Sequence, residues 1–162
     1  MNLELRTRTR EAVITYFNKT QDDEIRRFIP MKAKTQQEAL EDYENTLLPD
    51  STSFGESIYL DGSHIGDIWC YCIGEDEPDA MISFCIFEKT LWGKGIAKLC
   101  VNKFLAIVKE KFSLKTVGAF TYAYNLASIK VLSVCGFKEI ETFTEDGVES
   151  KYFQITFDSV EG

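Results

Sequence analysis

The feature that most constrains the fold is a strand pattern, a glycine pair and a long amphipathic helix in succession between residues 80 and 112. Residues 80–87 are mostly apolar and typical of a strand, and Ile96–Phe112 repeats apolar residues at helical spacing. Gly93 and Gly95 stand between them and let the backbone turn sharply. A helix that begins there presents unpaired N–H groups to an anion such as a diphosphate. A turn without a ligand is the alternative interpretation.

The glycine pair belongs to neither of the common nucleotide-binding loops. It lacks the Gly-Lys-Ser/Thr ending of a Walker loop, and Lys98 occupies the third glycine position of the dinucleotide fingerprint. The surrounding charge nevertheless favours an anion. Seven lysines and one acid lie between Lys89 and Lys115, a net charge of +6, whereas the rest of the chain carries −14. We expect Lys94 and Lys98 to reach a phosphate.

Strand and helix patterns cover nearly the whole chain. The predicted helices lie at 9–29 (with a break near 18–22), 35–48, 96–112 and 127–135. The predicted strands lie near Leu3 and at 54–60, 65–73, 80–87, 116–121, 137–143 and 148–157. This order predicts an α/β (α+β) fold, with a mixed, mostly antiparallel central sheet of about six to seven strands flanked by helices.

Composition limits the class of protein. The chain has 162 residues, the size of one domain, and 44% hydrophobic residues, enough for a core without disulfide bonds. Its formal net charge of −8 argues against nucleic-acid binding. No apolar run approaches the length of a membrane helix, and the N-terminus lacks the apolar segment of a signal peptide. We therefore expect a cytoplasmic protein that binds neither membrane nor nucleic acid.

The cysteines and the single histidine favour no metal site. None of the five cysteines forms a Cys-x-x-Cys pair, and all have apolar neighbours, so we expect reduced, buried thiols. Cys70 and Cys72 alone are too few ligands for a metal ion. His64 lies in a turn-like run and is expected to be exposed.

A second motif begins at Asn125. Ser128, Leu132, Gly136 and Phe137 follow it at fixed spacing. Asn125 is expected to cap a helix or to bond the amide groups of a ligand. Gly136 is expected to end that helix with a positive φ, and Phe137 to enter the core.

Together the two motifs resemble those of the GNAT superfamily of N-acetyltransferases. The acetyl-CoA loop of that family has the pattern [RQ]-x-x-G-x-[GA], and residues 92–97 match it except that Trp92 replaces Gln or Arg. This replacement and Ser128 are similar to the RimJ/RimL subfamily, which acetylates the N-termini of ribosomal proteins. The spacing of 30 residues between Gly95 and Asn125 also fits the family.

The resemblance implies one N-acetyltransferase domain over residues 1–162 that uses acetyl-CoA and no metal. Backbone N–H groups of residues 93–97 would hold the pyrophosphate. The pantetheine arm would pair with the end of strand 80–87, which splays from the next strand, and Asn125 would contact this arm. The implied cofactor-binding residues are Cys85, Ile86, Phe87, Trp92, Gly93, Lys94, Gly95, Ile96, Ala97 and Asn125.

The resemblance also implies direct attack of a neutral amine on the thioester, which needs an oxyanion donor and a base. The oxyanion donor would be a backbone N–H near Ile86 or Phe87. Many relatives carry a Glu on the strand before the loop, but residues 80–87 contain no carboxylate. Asp67 and Glu56, on the preceding hairpin, are the alternatives for the base.

The acid that protonates the CoA thiolate is the least defined group. Relatives of another branch use a Tyr where this chain has Leu132, so Ser128 is the catalytic candidate, with Tyr122 and Tyr124 also near. A CoA thiolate is a good leaving group, so a dedicated acid is dispensable.

The motifs leave the acceptor open among a protein N-terminus, a polyamine and a small-molecule amine. The resemblance implies that it enters between the N-terminal helices and the hairpin 54–73, with residues 50–56 and 143–148 at its border. The acidic surround favours a cationic acceptor. The motifs also allow an acyl group larger than acetyl, and either a monomer or a homodimer. A non-catalytic acyl-CoA-binding regulatory module of the same fold, and an unrelated α/β nucleotide-binding protein, are the alternative interpretations.

Overall fold

Seven strands form one sheet in the computed structural model, which describes residues 1–29 and 33–157. The strands are β1 (Leu3–Thr7), β2 (Phe54–Leu60), β3 (Ser63–Tyr71), β4 (Ala80–Ile86), β5 (Thr116–Tyr122), β6 (Lys138–Glu145) and β7 (Val148–Thr156). Their order is β1-β2-β3-β4-β5-β7-β6, and β4 and β5 are the one parallel pair among these strands. The predicted α+β fold with a mixed, mostly antiparallel sheet is confirmed.

The helices of the described residues begin at the capping residues that the sequence supplies. They are α1 (Arg10–Lys19), α2 (Asp23–Arg26), α3 (Gln36–Asn45), α4 (Ile96–Phe112) and α5 (Leu126–Val134), with a short 3₁₀ helix at Lys89–Leu91. Thr9, Asp22 and Thr35 accept hydrogen bonds from first-turn N–H groups of α1, α2 and α3. The N-terminal helical region is therefore two helices, with the break that the sequence predicted.

Two of the predicted boundaries that differ from the structure have clear local causes. α3 ends at Asn45 rather than near Leu48, because the N–H groups of Leu47 and Leu48 bond carbonyls three residues back in tight turns. β3 ends at Tyr71 rather than at Ile73, because Cys72 has a φ of 53° and turns the chain.

The sheet separates two environments. On one face Ile68 and Cys70 of β3 pack with Phe104 and Val101 of α4 and with Leu132 of α5 in the main core. On the other face lie α1 and α3, which contact each other, and the ring of Tyr16 in α1 meets Trp69 of β3 at 6.2 Å between centroids. Side chains alternate between the two faces along β3, so neighbouring residues enter different chemical environments.

Two of the sequence expectations on side chains were wrong. Cys72 is exposed whereas the other four cysteines are buried, because it lies in the turn after β3. His64 is half-buried, because its ring stacks on Tyr59 at 5.1 Å and meets Phe87 edge-on at 5.0 Å. Burial lowers the pKa of His64, so this imidazole is neutral at pH 7. Within residues 1–29 and 33–157 no group of side chains could hold a metal ion, and no helix is long and apolar enough to cross a bilayer.

Candidate active site

The loop before α4 has the geometry of an anion site. Gly93 and Gly95 both have a φ of 78°, a conformation that glycine adopts without strain. Gly95 is the N-cap of α4, and no side chain caps this helix, so its first-turn N–H groups remain available. A Cβ atom built on either glycine meets no atom within 4 Å, so the space beside the loop is open. These features fit a diphosphate.

The lysines around the loop are not equivalent. Lys89 forms ion pairs with Asp22 at 2.8 Å and Glu24 at 3.3 Å, so α2 neutralises it. Lys94 and Lys98 are exposed, and no ion pair among the described residues involves either of them. These two lysines therefore carry the charge that is free to meet an anion at the loop.

Trp92 connects the loop to the end of β4. Its indole Nε1 donates a hydrogen bond to the Ile86 carbonyl at 2.8 Å, and its ring meets Phe28 edge-on at 6.0 Å between centroids. A Gln or Arg side chain also offers an N–H donor but has no ring to pack on Phe28. The tryptophan thereby fixes the loop against both β4 and the segment after α2.

β4 and β5 pair only at their first residues and then separate. The pairs are Ala80 with Val117 and Met81 with Gly118. The N–H of Phe87, just after β4, donates to the Ile65 carbonyl at 2.8 Å, on the β3 side. Backbone hydrogen-bonding groups point to alternate sides along a strand. The backbone N–H and C=O groups of Cys85 therefore also point toward β3, whereas those of Phe84 and Ile86 point into the gap between β4 and β5.

This alternation corrects part of the sequence expectation. The Phe87 N–H is engaged by β3 and is not available to stabilise an oxyanion. Trp92 engages the carbonyl of Ile86, which leaves the N–H of Ile86 and both backbone groups of Phe84 on the open edge. The free edge of β4 therefore offers two donors and one acceptor to an extended ligand.

The gap is the floor of a cavity of about 660 Å³, the β4–β5 cleft. Ile82, Ser83 and Phe84 line one wall, and Asn125 and Ser128 lie across from them. The Asn125 side chain accepts a hydrogen bond from the Ser128 N–H at 3.1 Å, so it caps α5 as expected. The lining also includes Tyr122 and Leu132.

A second cavity of about 670 Å³, the α1–α3 cavity, lies between those two helices and β3. Its walls include Tyr16 of α1, Tyr43 of α3, residues 50–53, and Trp69 of β3. Both cavities are lined by Ile29, Tyr71 and Ser83. Two molecules that occupied the two cavities would therefore meet beside Ser83, at the middle of β4.

Sequence comparison decides the family. Residues 2–138 match the family model of the acetyltransferase (GNAT) domain. The chain belongs to this family. A GNAT acetyltransferase uses acetyl-CoA as its acyl donor, and the glycine loop, the α4 N-terminus and the open edge of β4 fit that cosubstrate. No curated protein sequence matches the chain.

Solved structures share this GNAT fold at low sequence identity. Spermidine N-acetyltransferase from Vibrio cholerae, in complex with CoA and spermine, has a TM-score of 0.84 at 18% identity over 95% of both chains. RimL, a ribosomal L7/L12 alpha-N-protein acetyltransferase in complex with CoA, has a TM-score of 0.81 at 16% identity over 98% of this chain and 96% of that chain. The aminoglycoside acetyltransferase AAC(6')-Ib with CoA has a TM-score of 0.80 at 17% identity over 96% and 95%.

The charge that lines the two cavities of this GNAT domain is mostly negative. The lining acids are Asp42, Asp50, Asp67, Glu141, Glu145 and Asp146. Arg8 is the one cation among the lining residues that the structure describes, and it is already paired. Its Nε donates to Asp67 Oδ1 at 3.1 Å, and its terminal NH2 group binds Asp67 Oδ2.

The two carboxylates that sequence reasoning left open as a base lie on opposite faces of the sheet. Asp67 faces the α1–α3 cavity, and burial raises its pKa to about 6 although Arg8 opposes the shift. Glu56 stands opposite Ile68, whose side chain enters the core beneath α4. Burial raises the pKa of Glu56 as well, against the influence of Lys111 and Arg8. Only Asp67 can meet a molecule in the α1–α3 cavity.

Sequence reasoning missed three residues of this site. Arg8 precedes the predicted N-terminal helical region and Tyr16 lies within it, neither of them in a motif, and Ser83 is one small residue in an apolar strand. The Arg8–Asp67 pair joins residues 59 positions apart, a contact that no local pattern encodes. An unpaired aspartate inside the strand pattern of residues 65–73 was the one available signal, since buried charges require partners.

Proposed function

We propose that this GNAT domain transfers the acetyl group of acetyl-CoA directly to a primary amine that carries additional positive charge. The observation that carries the proposal is the meeting of the β4–β5 cleft and the α1–α3 cavity at Tyr71 and Ser83. A thioester in the cleft and an amine in the cavity would come into contact there without a covalent enzyme intermediate.

The cosubstrate would lie along the open edge of β4. Residues 93–97 would bind the pyrophosphate, with Lys94 and Lys98 beside it. The Phe84 carbonyl would accept a hydrogen bond from a pantetheine amide. The N–H of Phe84 or Ile86 would bind the thioester oxygen as charge develops on it. Ser128, on the opposite wall, would donate to the leaving sulfur.

The acceptor would be cationic because the described residues that line the α1–α3 cavity include three acids, Asp42, Asp50 and Asp67, whereas their one cation, Arg8, is already paired. Asp42 and Asp50 are exposed at the edge of the α1–α3 cavity, where they would bind a distal ammonium group. Spermine and aminoglycosides, found with two of the similar structures, have that chemistry. Trp92 and Ser128 support a RimJ/RimL-like relationship, so a protein N-terminus that is rich in basic residues belongs to the same class.

The cysteine pattern supports a reducing compartment, and we propose that the protein works in the cytoplasm. Burial raises the pKa of Cys70, Cys85 and Cys100 to about 12, so these thiols stay protonated and do not form an acyl-enzyme. This supports direct transfer.

Thiol release from acetyl-CoA, measured over a panel of spermidine, kanamycin, basic peptides and simple monoamines, tests the proposal. We expect turnover with at least one polycationic acceptor at a kcat/KM at least tenfold above that of a monoamine. Equal rates for both would contradict the cationic acceptor. Thermal stabilisation by acetyl-CoA without turnover over the panel would indicate the binding module, and no stabilisation would contradict both.

A further inference from the structure

A buried polar cluster lies beneath α1 on the acceptor face of the sheet. Its charged members are Arg8 and Asp67, and their side chains are only 17% and 8% exposed. Tyr16 Oη and Ser57 Oγ are also buried, and neither has a hydrogen-bond partner among the described residues. The Cys85 thiol lies beside them and influences the pKa of Tyr16, which burial raises well above its ordinary value. Residues of α1, β2, β3 and β4 thus place polar groups close together, and two of these groups form no hydrogen bond within the described residues.

The position of this cluster relative to the cosubstrate follows from the sheet register. Asp67 stands directly opposite Cys85, and Ser57 stands opposite Asp67 on the other side. Cys85 lies between Phe84 and Ile86, whose backbone groups face the cleft. The backbone of Asp67 is therefore about one strand spacing, roughly 4.8 Å, from β4, whose far edge would hold the thioester. The Asp67 side chain lines the cavity proposed for the amine.

We infer that Asp67 is the residue that takes the proton from the acceptor ammonium, with Arg8 as its positioning residue. This inference rests on the proposed function. A carboxylate has about four acceptor sites, and Arg8 uses two of them, so Asp67 retains acceptors on the cavity side. The guanidinium holds the carboxylate in place, and a Cβ atom at Gly55 would overlap the same guanidinium, so a larger residue at position 55 would have to displace Arg8.

The proton and bond changes balance without another reactant. The ammonium loses one proton to Asp67, and its nitrogen lone pair attacks the thioester carbonyl carbon. The C–S bond breaks as the tetrahedral carbon collapses to the amide, and the second proton of that nitrogen passes to the CoA sulfur. Asp67 then releases its proton to solvent. The aromatic walls of Tyr16, Tyr43 and Trp69 favour the neutral amine by withdrawing it from water.

The groups that face Asp67 set the pH range of the step. They are Arg8, between β1 and α1, Tyr16 of α1 and Cys85 of β4. The folded-state pKa of Asp67 is about 6, above its ordinary value, so the carboxylate is the active base above pH 6 and is lost below it. Tyr16 and Cys85 stay protonated throughout this range because burial raises both of their pKa values.

The experiment measures kcat against pH for wild type, Asp67→Asn and Glu56→Gln with two acceptors of different amine pKa. We expect the wild-type kcat to fall below about pH 6 with either acceptor, as a group of the enzyme requires. Asp67→Asn should lower the plateau of kcat by about 10²–10³-fold and remove this limb, with unchanged affinity for acetyl-CoA. Glu56→Gln is the matched control, because it removes a partly buried carboxylate of raised pKa from the other face, and it should keep both plateau and limb.

Arg8→Gln supplies a second readout in case Asp67→Asn fails to fold. Loss of the cation should move the acidic limb of kcat to higher pH, a shift that a merely structural role would not produce, and should lower the alkaline plateau less than Asp67→Asn does. A wild-type kcat without an acidic limb between pH 5 and 7, an unshifted limb in Arg8→Gln, or a kcat in Asp67→Asn within threefold of wild type would each overturn the assignment. No wild-type turnover with any amine would instead contradict the proposed function.

Discussion

The proposed cosubstrate site depends strongly on the backbone conformation of individual residues. Gly95 and Gly62 both adopt a positive φ, at 78° and 84°, and a Cβ atom on either would meet nothing within 4 Å. Gly62 lies in the turn between β2 and β3, which is separate from the loop before α4. A side chain introduced at either glycine would therefore have the same backbone strain and the same open space beside it. The two positions differ only in that Gly95 lies where the diphosphate would bind.

Gly95→Glu is expected to abolish measurable acetyl-CoA binding, because it places a side chain and a negative charge where the diphosphate would lie. Gly62→Glu introduces the same residue at the same kind of φ and is the control. Both should lose similar stability, of about 1–2 kcal/mol, from the left-handed conformation. Isothermal titration calorimetry gives the affinities and urea unfolding the stabilities. An acetyl-CoA affinity for Gly95→Glu equal to that of Gly62→Glu would contradict the loop assignment.

At the scale of residues, local motifs were predictable and distant partners were not. The positive φ at Gly136 and the cap at Asn125 follow from helix-end chemistry and were both predicted. The bond from Trp92 to Ile86 and the ion pair of Arg8 with Asp67 depend on how the chain returns to the sheet. Side-chain pairs of that kind follow from the tertiary structure, so one sequence does not reveal them.

Among the elements, α4 shows how completely periodicity can define a helix. Its bounds, Ile96–Phe112, are those that the apolar spacing and the preceding glycines predicted. The predicted strand ends deviate by one or two residues because hydrogen bonding to neighbouring strands sets them. The position of β7 between β5 and β6 has no local signal, since strand order depends on contacts far apart in sequence.

The C-terminal end of α4 offers a clean test of helix termination. Ser113 caps it with a φ of 54° and a ψ of 45°, a left-handed conformation that favours glycine. Ser113→Gly is expected to raise the free energy of unfolding by about 1 kcal/mol. Ala106→Gly, at an exposed position inside the same helix, should lower it by about 1 kcal/mol. Urea denaturation measures both, and a loss of stability in Ser113→Gly would contradict the capping argument.

Over the whole molecule, the net charge of −8 conceals a separation of charge. The segment from Lys89 to Lys115 carries +6 around the glycine loop, whereas Asp42, Asp50 and Asp67 line the α1–α3 cavity proposed for the acceptor. A phosphate-bearing cosubstrate and a cationic acceptor would therefore approach surfaces of opposite sign.

Ionic strength should separate acceptors by their charge. Raising salt from 0.05 to 0.5 M is expected to increase the KM of spermidine several-fold more than the KM of a monoamine, because screening weakens the attraction of each additional charge. Initial rates at saturating acetyl-CoA measure both constants, and the monoamine series controls for changes in the enzyme itself. An equal increase for the two acceptors would show that charge plays no part in acceptor binding.

The short pairing between β4 and β5 has a consequence for folding as well as for binding. Two residue pairs join the half of the sheet that contains β1 to β4 to the half that contains β5 to β7. A pantetheine chain along the free edge of β4 would form hydrogen bonds with this strand where β5 no longer pairs with it, and would thereby connect the two halves. Bound acetyl-CoA would then stabilise the contact between the two halves of the sheet. In a cell with little acetyl-CoA, a larger fraction of this protein would open between the halves and be degraded faster.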